Sequence, residues 1–350
     1  MKVHQLLSGV GPVDAVTNQA RAYRRLFGTW GWGGGDHAVH VDPRAGRDFS
    51  PLARLDPGPG DVLLFHYSAY APRLAEQLGR PQRKLLVSHN ITPARWFWEY
   101  EPMTAVQCTI GREQLPVFAT GVDLAAGVSA YNVAELEAAG ARDTAVIPIL
   151  FDGSRLGAPG PAAPPGPPTV LCVGRLAPHK RHDLLIRAFA LYRRERAPDA
   201  RLVIVGEPLT PLFADAVRGL AERLAPGSVT FESMLSAEAL GDRWRSAHVF
   251  LCLSEHEGFC IPLLEAFHFG VPVVARAAGG VPEVAGDAAL LLDAEADLPT
   301  AAEALHLAAS DGELRGELRR RGARRLEAFA FDRSAARLRE AVERVAGPQS

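Results

Sequence analysis

The sequence predicts an α/β protein built from two doubly wound parallel-sheet domains facing across a cleft. Three observations predict it. Short apolar runs alternate with stretches of helical periodicity along most of the chain, the pattern of parallel strands buried on both faces and joined by crossover helices. At 350 residues, 47% hydrophobic and 22% charged, the chain has apolar side chain for a large core but exceeds the roughly 250–300 residues at which one core stops growing. Residues 153–168 (GSRLGAPGPAAPPGPP) carry six prolines and four glycines, a composition that forbids a helix or a central strand. This gives residues 1–152 as a first domain, 153–168 as a linker or hinge, 169–330 as a second domain, and 331–350 as a C-terminal helix packing back toward the first.

In the first domain, strands are expected near 2–7 (KVHQLL), 37–41, 61–66 (DVLLFH), 84–88 (KLLVS) and 144–149. The second domain is more regular, with apolar runs at 169–173 (TVLCV), 202–205 (LVIV), 248–253 (HVFLCL), 271–274 (VPVV) and 289–292 (ALLL), each bounded by turn residues. Between the first two of these, residues 182–194 place Leu184, Leu185, Ala188, Phe189 and Tyr192 on one face and arginines opposite, as an amphipathic crossover helix does. The stretch 311–346 reads as two helices broken near Phe329 to Asp332. In open sheets of this kind ligands bind beyond the carboxyl ends of the strands.

Composition removes several classes of function. A formal charge of −2 leaves no basic field to follow a nucleic-acid backbone. Four cysteines (Cys108, Cys172, Cys252, Cys260) without a C-x-x-C pair suggest neither a disulfide framework nor a zinc knuckle, which fits a reducing compartment. His4 and Gln5 stand where a signal peptide needs an apolar core, and no run of 18 apolar residues occurs, so a cytoplasmic, non-spanning protein is expected. Nearly every cation is arginine; the only lysines are Lys2, Lys84 and Lys180. Arg21, Arg24 and Arg25 with Trp30 and Trp32 could lay one helix on an anionic membrane, although the general arginine bias speaks for ordinary surface.

Three strand-to-helix junctions of the second domain carry the polar chemistry. Residues 173–180 (VGRLAPHK) end a strand on glycine and offer Arg175 and Lys180, two cations able to neutralise a diphosphate without a metal. Residues 254–265 (SEHEGFCIPLLE) run from a strand into a helix whose first turn suits Pro262, so backbone N–H groups around Gly258, Phe259 and Cys260 should face an anion or hydroxyl. Glu257 in that loop and Glu265 on the helix are separated by two helical turns, about 11 Å, the span from a sugar ring across a diphosphate toward a ribose. Both glutamates could instead stabilise the helix N-terminus. The third junction is the glycine-rich turn 277–283 (AAGGVPE).

In this order and spacing, G-R-L-x-x-x-K at 174–180, the E-x7-E pair Glu257 and Glu265, GVPVV at 270–274 and GGVPE at 279–283 resemble the retaining glycosyltransferases of family 4, which have the two-domain GT-B fold. The resemblance covers 169–293 and implies a metal-independent transferase without cofactor, taking a sugar from an NDP-sugar, UDP-linked, to a hydroxyl acceptor. It implies that Glu257 lies beside the donor sugar, that Glu265 binds the ribose, that Arg175 and Lys180 hold the diphosphate, and that Gly258, Phe259 and Cys260 touch phosphate and sugar. The base would lie against Met234 and Leu235. Cys260 replaces a glycine frequent in the family, which narrows the space near the sugar, and Ser233 replaces another. The first domain is similar in outline, with a first-strand loop at 8–14 that brings Gly11 to the donor and Asp14 to the acceptor side, FHYS at 65–68, and SHNITP at 88–93. A histidine placed like His89 commonly reaches the donor sugar or the reacting centre, which makes His89 a catalytic candidate with Glu257; His66, Asn90, Arg95 and Trp96 are acceptor-side candidates. The aromatic run 96–100 could stack on a sugar or simply pack. Two rivals share the fold: an NDP-sugar 2-epimerase, and a non-catalytic nucleotide-sugar-binding partner.

Overall fold

A computed structural model describes residues 1–11, 14–45, 47–160 and 164–347. The chain divides into two compact units: Met1–Arg95 with Met103–Leu150 and Phe329–Ser350, and Trp96–Pro102 with Phe151–Ala328.

The first unit holds seven strands: β1 (Val3–Val10), β2 (Asp36–Val41), β3 (Ser50–Pro51), β4 (Val62–Tyr67), β5 (Arg83–Ser88), β6 (Leu124–Gly127) and β7 (Thr144–Val146). Their order is β3-β2-β1-β4-β5-β6-β7, every pair parallel. All six residues of β4 are buried, as a central strand covered on both faces requires. Leu6, Leu63, Phe65 and Leu86 face one covering layer and Leu7, Val10, Ala20 and Ala38 the other. Two strands escape the apolar pattern for plain reasons: β3 has two residues, and β6 reads LAAG, with little β-forming side chain. The helix Ala15–Thr29 starts where Asp14 accepts from the Thr17 N–H at 2.7 Å. The C-terminal helix Phe331–Ala346 lies against β4 and β5 of this unit.

The second unit has six strands: β8 (Thr169–Val173), β9 (Arg201–Val205), β10 (Val229–Glu232), β11 (Val249–Cys252), β12 (Val273–Arg276) and β13 (Leu290–Leu292), ordered β10-β9-β8-β11-β12-β13 and all parallel. Both units thus show the doubly wound order in which the chain leaves the first strand in opposite directions, a switch point between β1 and β4 and another between β8 and β11. The crossover helix His182–Glu195 buries Leu185, Ile186, Ala188, Phe189 and Tyr192, whereas Leu184 is only half-buried. β10 (VTFE), an edge strand, has too few apolar residues to stand out in the sequence. The two final helices are Gly312–Ala328 and Phe331–Ala346.

The start of the Pro/Gly segment, expected as a linker or hinge, is folded within the second unit. Residues Gly153–Leu156 form a 3-10 turn, begun by Asp152 accepting from Ser154 N–H at 3.1 Å. His268 Nε2 lies 2.8 Å from the Gly157 carbonyl, and Arg245 donates to that of Ala158 at 3.2 Å, so the start of the segment is fastened to the second unit. Residues 161–163 lie outside the described residues. Residues 96–102, expected in the first domain, belong to the second unit: Phe97 meets the edge of His179 at 5.8 Å and Tyr100 that of Phe213 at 4.9 Å, which is packing. Among the described residues no helix is long and apolar enough to cross a membrane.

Candidate active site

The β8–β11 switch point gathers the second unit's charged residues. After β8 the chain turns at Gly174 (φ 148°), where a neighbouring loop comes close enough that a Cβ on Gly206 would fall 1.9 Å from the Gly174 carbonyl oxygen. The 3-10 turn Pro178–Lys180 then folds Lys180 back, and its Nζ donates to Glu257 Oε1 at 2.6 Å. The Glu255 N–H donates to the His179 carbonyl at 2.9 Å, which laces the two loops together. Burial by itself would depress the Lys180 ammonium, but the Glu257 carboxylate beside it raises it above lysine's ordinary value, so it stays charged. Arg175 is exposed, and its guanidinium bonds to none of the described residues.

Glu257 is buried and clamped through its backbone. The Gly280 N–H donates to its carbonyl at 2.8 Å, and Gly279, at φ 57°, approaches so closely that a Cβ there would meet the Glu257 oxygen at 2.2 Å. The glycine-rich third junction therefore holds Glu257 in place. Cys260 caps the helix Ile261–Phe269 in the left-handed region (φ 76°, ψ 70°), a conformation that favours glycine and accounts for glycine as the alternative residue there. Its side chain is buried, with Sγ 3.9 Å from Cys252 Sγ, and Cys252 Sγ is itself 3.9 Å from Glu257 Oε1. Glu265, half-buried, accepts from the Trp244 indole N–H at 3.1 Å; burial pushes its carboxyl up to about 7, with the indole bond pulling the other way. Phe259 is buried and Gly258 half-buried. In the loop after β10, Met234 has φ 54° and is 69% exposed, while Leu235 is half-buried.

Sequence reasoning missed two contributors. Trp244, wholly buried, is the residue that holds Glu265. Glu255 lies between Arg181, with which it hydrogen-bonds, and Arg276 at 3.3 Å, and so ties the β8, β11 and β12 loops together. Its place two residues before Glu257 was the available signal, and nothing in a linear reading identifies the arginines.

The first unit contains a second constellation. His66 Nε2 lies 2.8 Å from Gln5 Oε1, and His66 Nδ1 lies 2.9 Å from His89 Nε2. The Gln5 amide nitrogen donates to Asp36 and to the Ala20 carbonyl, so its oxygen accepts from His66 Nε2–H, and His66 Nδ1 must accept from His89 Nε2–H. Asp36, Gln5, His66 and His89 thus form a chain that leaves His89 Nδ1 as its terminal acceptor. Burial holds both rings below the usual histidine range, His89 at about 4, and His66 is lowered further by its histidine neighbour. Both are neutral at pH 7.

Several acceptor-side expectations change. His66 is fully buried and can only support His89. Asp14 is occupied as a helix cap, taking both Thr17 N–H and Thr17 Oγ1–H, and the Gly11 N–H donates to Thr17 Oγ1 at 3.2 Å. Asn90 (φ 75°) donates to Asn132 at 2.8 Å and to Glu135 at 2.7 Å, which fixes the helix Ala130–Ala138. Arg95 is exposed at the end of the first unit's first segment, and Trp96 is half-buried in the second unit. Arg24 pairs with Asp36 at 2.6 Å, Arg21 reaches Asp48 at 3.1 Å, Trp30 packs on Trp32, and Arg25 is exposed. Pro12 and Val13 of the first loop lie outside the described residues.

The chain is similar to known proteins in sequence and in fold. Residues 159–325 match the family described as glycosyl transferases group 1. The D-inositol 3-phosphate glycosyltransferase of Streptomyces avermitilis is 33% identical over 190 residues, 52% of this chain and 40% of that protein. The GDP-mannose-dependent alpha-(1-6)-phosphatidylinositol monomannoside mannosyltransferase of Mycolicibacterium smegmatis is 40% identical over 132 residues, 34% of this chain and 32% of that one. The match thus spans less than half the length of these relatives. Among solved structures, sucrose-phosphate synthase from Thermosynechococcus elongatus is similar with a TM-score of 0.74 at 20% identity, covering 99% of each chain. Anabaena Alr3699/HepE in complex with UDP-glucose gives 0.74 at 17%, covering 98% of this chain and 99% of that one. The fold is the two-domain GT-B fold, and residues 159–325 match the glycosyl transferases group 1.

Proposed function

We propose that the protein is a retaining glycosyltransferase of the family 4 type that moves a sugar from a UDP-sugar to a hydroxyl acceptor without a metal. The observation that carries this is the set of opposed charges at the β8–β11 switch point: Lys180, kept charged by Glu257 at 2.6 Å, and the exposed Arg175 in the same loop after β8. The two cations supply the positive charge that a departing diphosphate needs, and Lys180 is held in place before the bond breaks. Glu265 accepts from ribose hydroxyls, and Met234 and Leu235 lie against the base. Glu257, its backbone clamped by Gly279 and Gly280, accepts from hydroxyls of the sugar while its charge keeps Lys180 in place. His89 contributes a neutral Nδ1 acceptor for a substrate hydroxyl. The acceptor hydroxyl attacks on the face the diphosphate leaves and gives its proton to that phosphate, which accounts for retention.

Two substitutions test the assignment. Arg175→Ala, at an exposed side chain without partners, should leave stability within about 0.5 kcal/mol and weaken UDP binding in calorimetry. Glu257→Ala should keep most nucleotide affinity and lower transfer about a hundredfold. Full transfer by Glu257→Ala would refute its role at the sugar. A second donor is favoured by one finding, that the 40%-identical relative is named as GDP-mannose-dependent. Thermal-shift measurements with UDP-, GDP- and dTDP-sugars decide between them.

A further inference from the structure

Beside the Lys180–Glu257 pair lie two buried thiols, Cys252 and Cys260, whose side chains sugar transfer does not use. One ligand atom each from Cys252, Glu257 and Cys260 lies within 4.8 Å of the other two, and all three residues are buried. The two Sγ atoms are 3.9 Å apart, and Cys252 Sγ is 3.9 Å from Glu257 Oε1. A tetrahedral zinc ion with bonds of about 2.3 Å to sulfur and about 2.0 Å to oxygen spaces two thiolates about 3.8 Å apart and a thiolate and carboxylate about 3.5 Å apart. Movements of a few tenths of an ångström close the difference for the two pairs that include Cys252, and the Cys260–Glu257 pair, within 4.8 Å, closes by a turn of the side chains. The backbone places all three groups: Cys252 ends β11, Cys260 is turned inward by its left-handed φ of 76°, and the Glu257 carbonyl is held by Gly280.

We propose that Cys252, Glu257 and Cys260 form a site for a soft divalent cation of the zinc class, which competes with Lys180 for the Glu257 carboxylate. Two thiolates and a carboxylate select zinc over magnesium or calcium, which prefer oxygen alone. Charge balances. On binding, each thiol gives its proton to solvent, so two thiolates and one carboxylate face the divalent ion and the Lys180 ammonium with no net charge, as the neutral thiols, carboxylate and ammonium do beforehand. The oxygen nearest Cys252 Sγ, Oε1 at 3.9 Å, is the one that accepts from Lys180 Nζ at 2.6 Å, so an ion placed there meets the ammonium's positive charge and the two compete.

The test is a cobalt(II) titration of the reduced full chain, with zinc added afterward. The proposal expects a thiolate-to-cobalt charge-transfer band in the near ultraviolet and intense tetrahedral visible bands, saturating at about one equivalent and abolished by zinc. Cys252→Ser and Cys260→Gly should lose both signals, with circular dichroism showing the fold kept; glycine is at ease in the left-handed cap. Cys108→Ser, in the other unit, should keep them. Glu257→Gln should bind about tenfold more weakly and Lys180→Ala about tenfold more tightly. Absence of the charge-transfer band in protein whose four cysteines titrate as free thiols overturns the site. So does an undiminished band in folded Cys260→Gly. Equal cobalt affinity in Lys180→Ala and the wild type overturns the competition.

Discussion

Glu265 illustrates how one residue's environment differs from its sequence pattern. The resemblance to family 4 implies that Glu265 binds ribose, but burial raises its carboxyl to about 7, close to physiological pH, with the Trp244 indole bond pulling the other way. The sign follows from linkage. Below the unfolded carboxyl value of about 4.5 both states carry the proton. Between that value and about 7 the folded state retains a proton that the unfolded chain has lost, so this residue's contribution to stability falls as pH rises through the window. The ionised form is also the better acceptor for ribose hydroxyls. UDP affinity in the wild type should therefore fall as pH is lowered from about 8 to about 6, and Glu265→Gln should bind weakly with a flatter profile, the ligand's own phosphate titration being common to both. Calorimetry across that range checks it, and parallel profiles for the two proteins would exclude Glu265 as the titrating group. His89 runs the other way: depressed to about 4, it is already neutral there and contributes no acid limb near pH 6 to 7.

At the scale of elements, the junctions matter more than the strands. The turn 277–283 is nearly uninformative as sequence, yet its two glycines bring a backbone against the Glu257 carbonyl at a distance no side chain allows. Gly279→Ala adds a Cβ 2.2 Å from that oxygen at φ 57°, so the turn must move. We expect a loss of at least about 2 kcal/mol, the sum of the left-handed penalty and the displaced contact, seen as a lower melting temperature together with reduced transfer. Wild-type melting and turnover would show that the clamp is irrelevant to Glu257. Strand positions at 169–173 and 202–205 were legible while β6 and β10 were not because runs of large apolar side chains stand out in a sequence, whereas LAAG and the edge strand VTFE carry few of them.

On the scale of the molecule, the chain returns at its end to the unit in which it began. The helix Phe331–Ala346 buries Leu338, Val342 and Val345 against the first unit, and Arg344 hydrogen-bonds to Asp143 there. Burial of those three side chains is worth about 5–8 kcal/mol as an upper estimate, comparable to the whole stability of a typical domain. A chain ending at Phe329 should therefore lose amide-exchange protection in β4 and β5 while β8 and β11 keep theirs. Uniform loss across both sheets would show that the units do not unfold separately, and unchanged protection in β4 and β5 would show that the helix is dispensable.

Apolar periodicity determined the α/β class, the approximate strand positions and the split of the C-terminal stretch into two helices, because each depends only on neighbours along the chain. Lys180, Glu257 and Glu265 were singled out by the resemblance of their segments to family 4, Lys180 in the loop after β8, Glu257 in the loop after β11 and Glu265 on the helix Ile261–Phe269. Tertiary structure alone decided what those groups do to one another. The Lys180–Glu257 pair joins residues 77 positions apart, the Trp244–Glu265 bond joins different helices, and the relay from Gln5 through His66 to His89 crosses three adjacent strands. It also turned Asp14 and Asn90 from ligand candidates into caps and braces, since a buried polar group takes the nearest partner the fold provides.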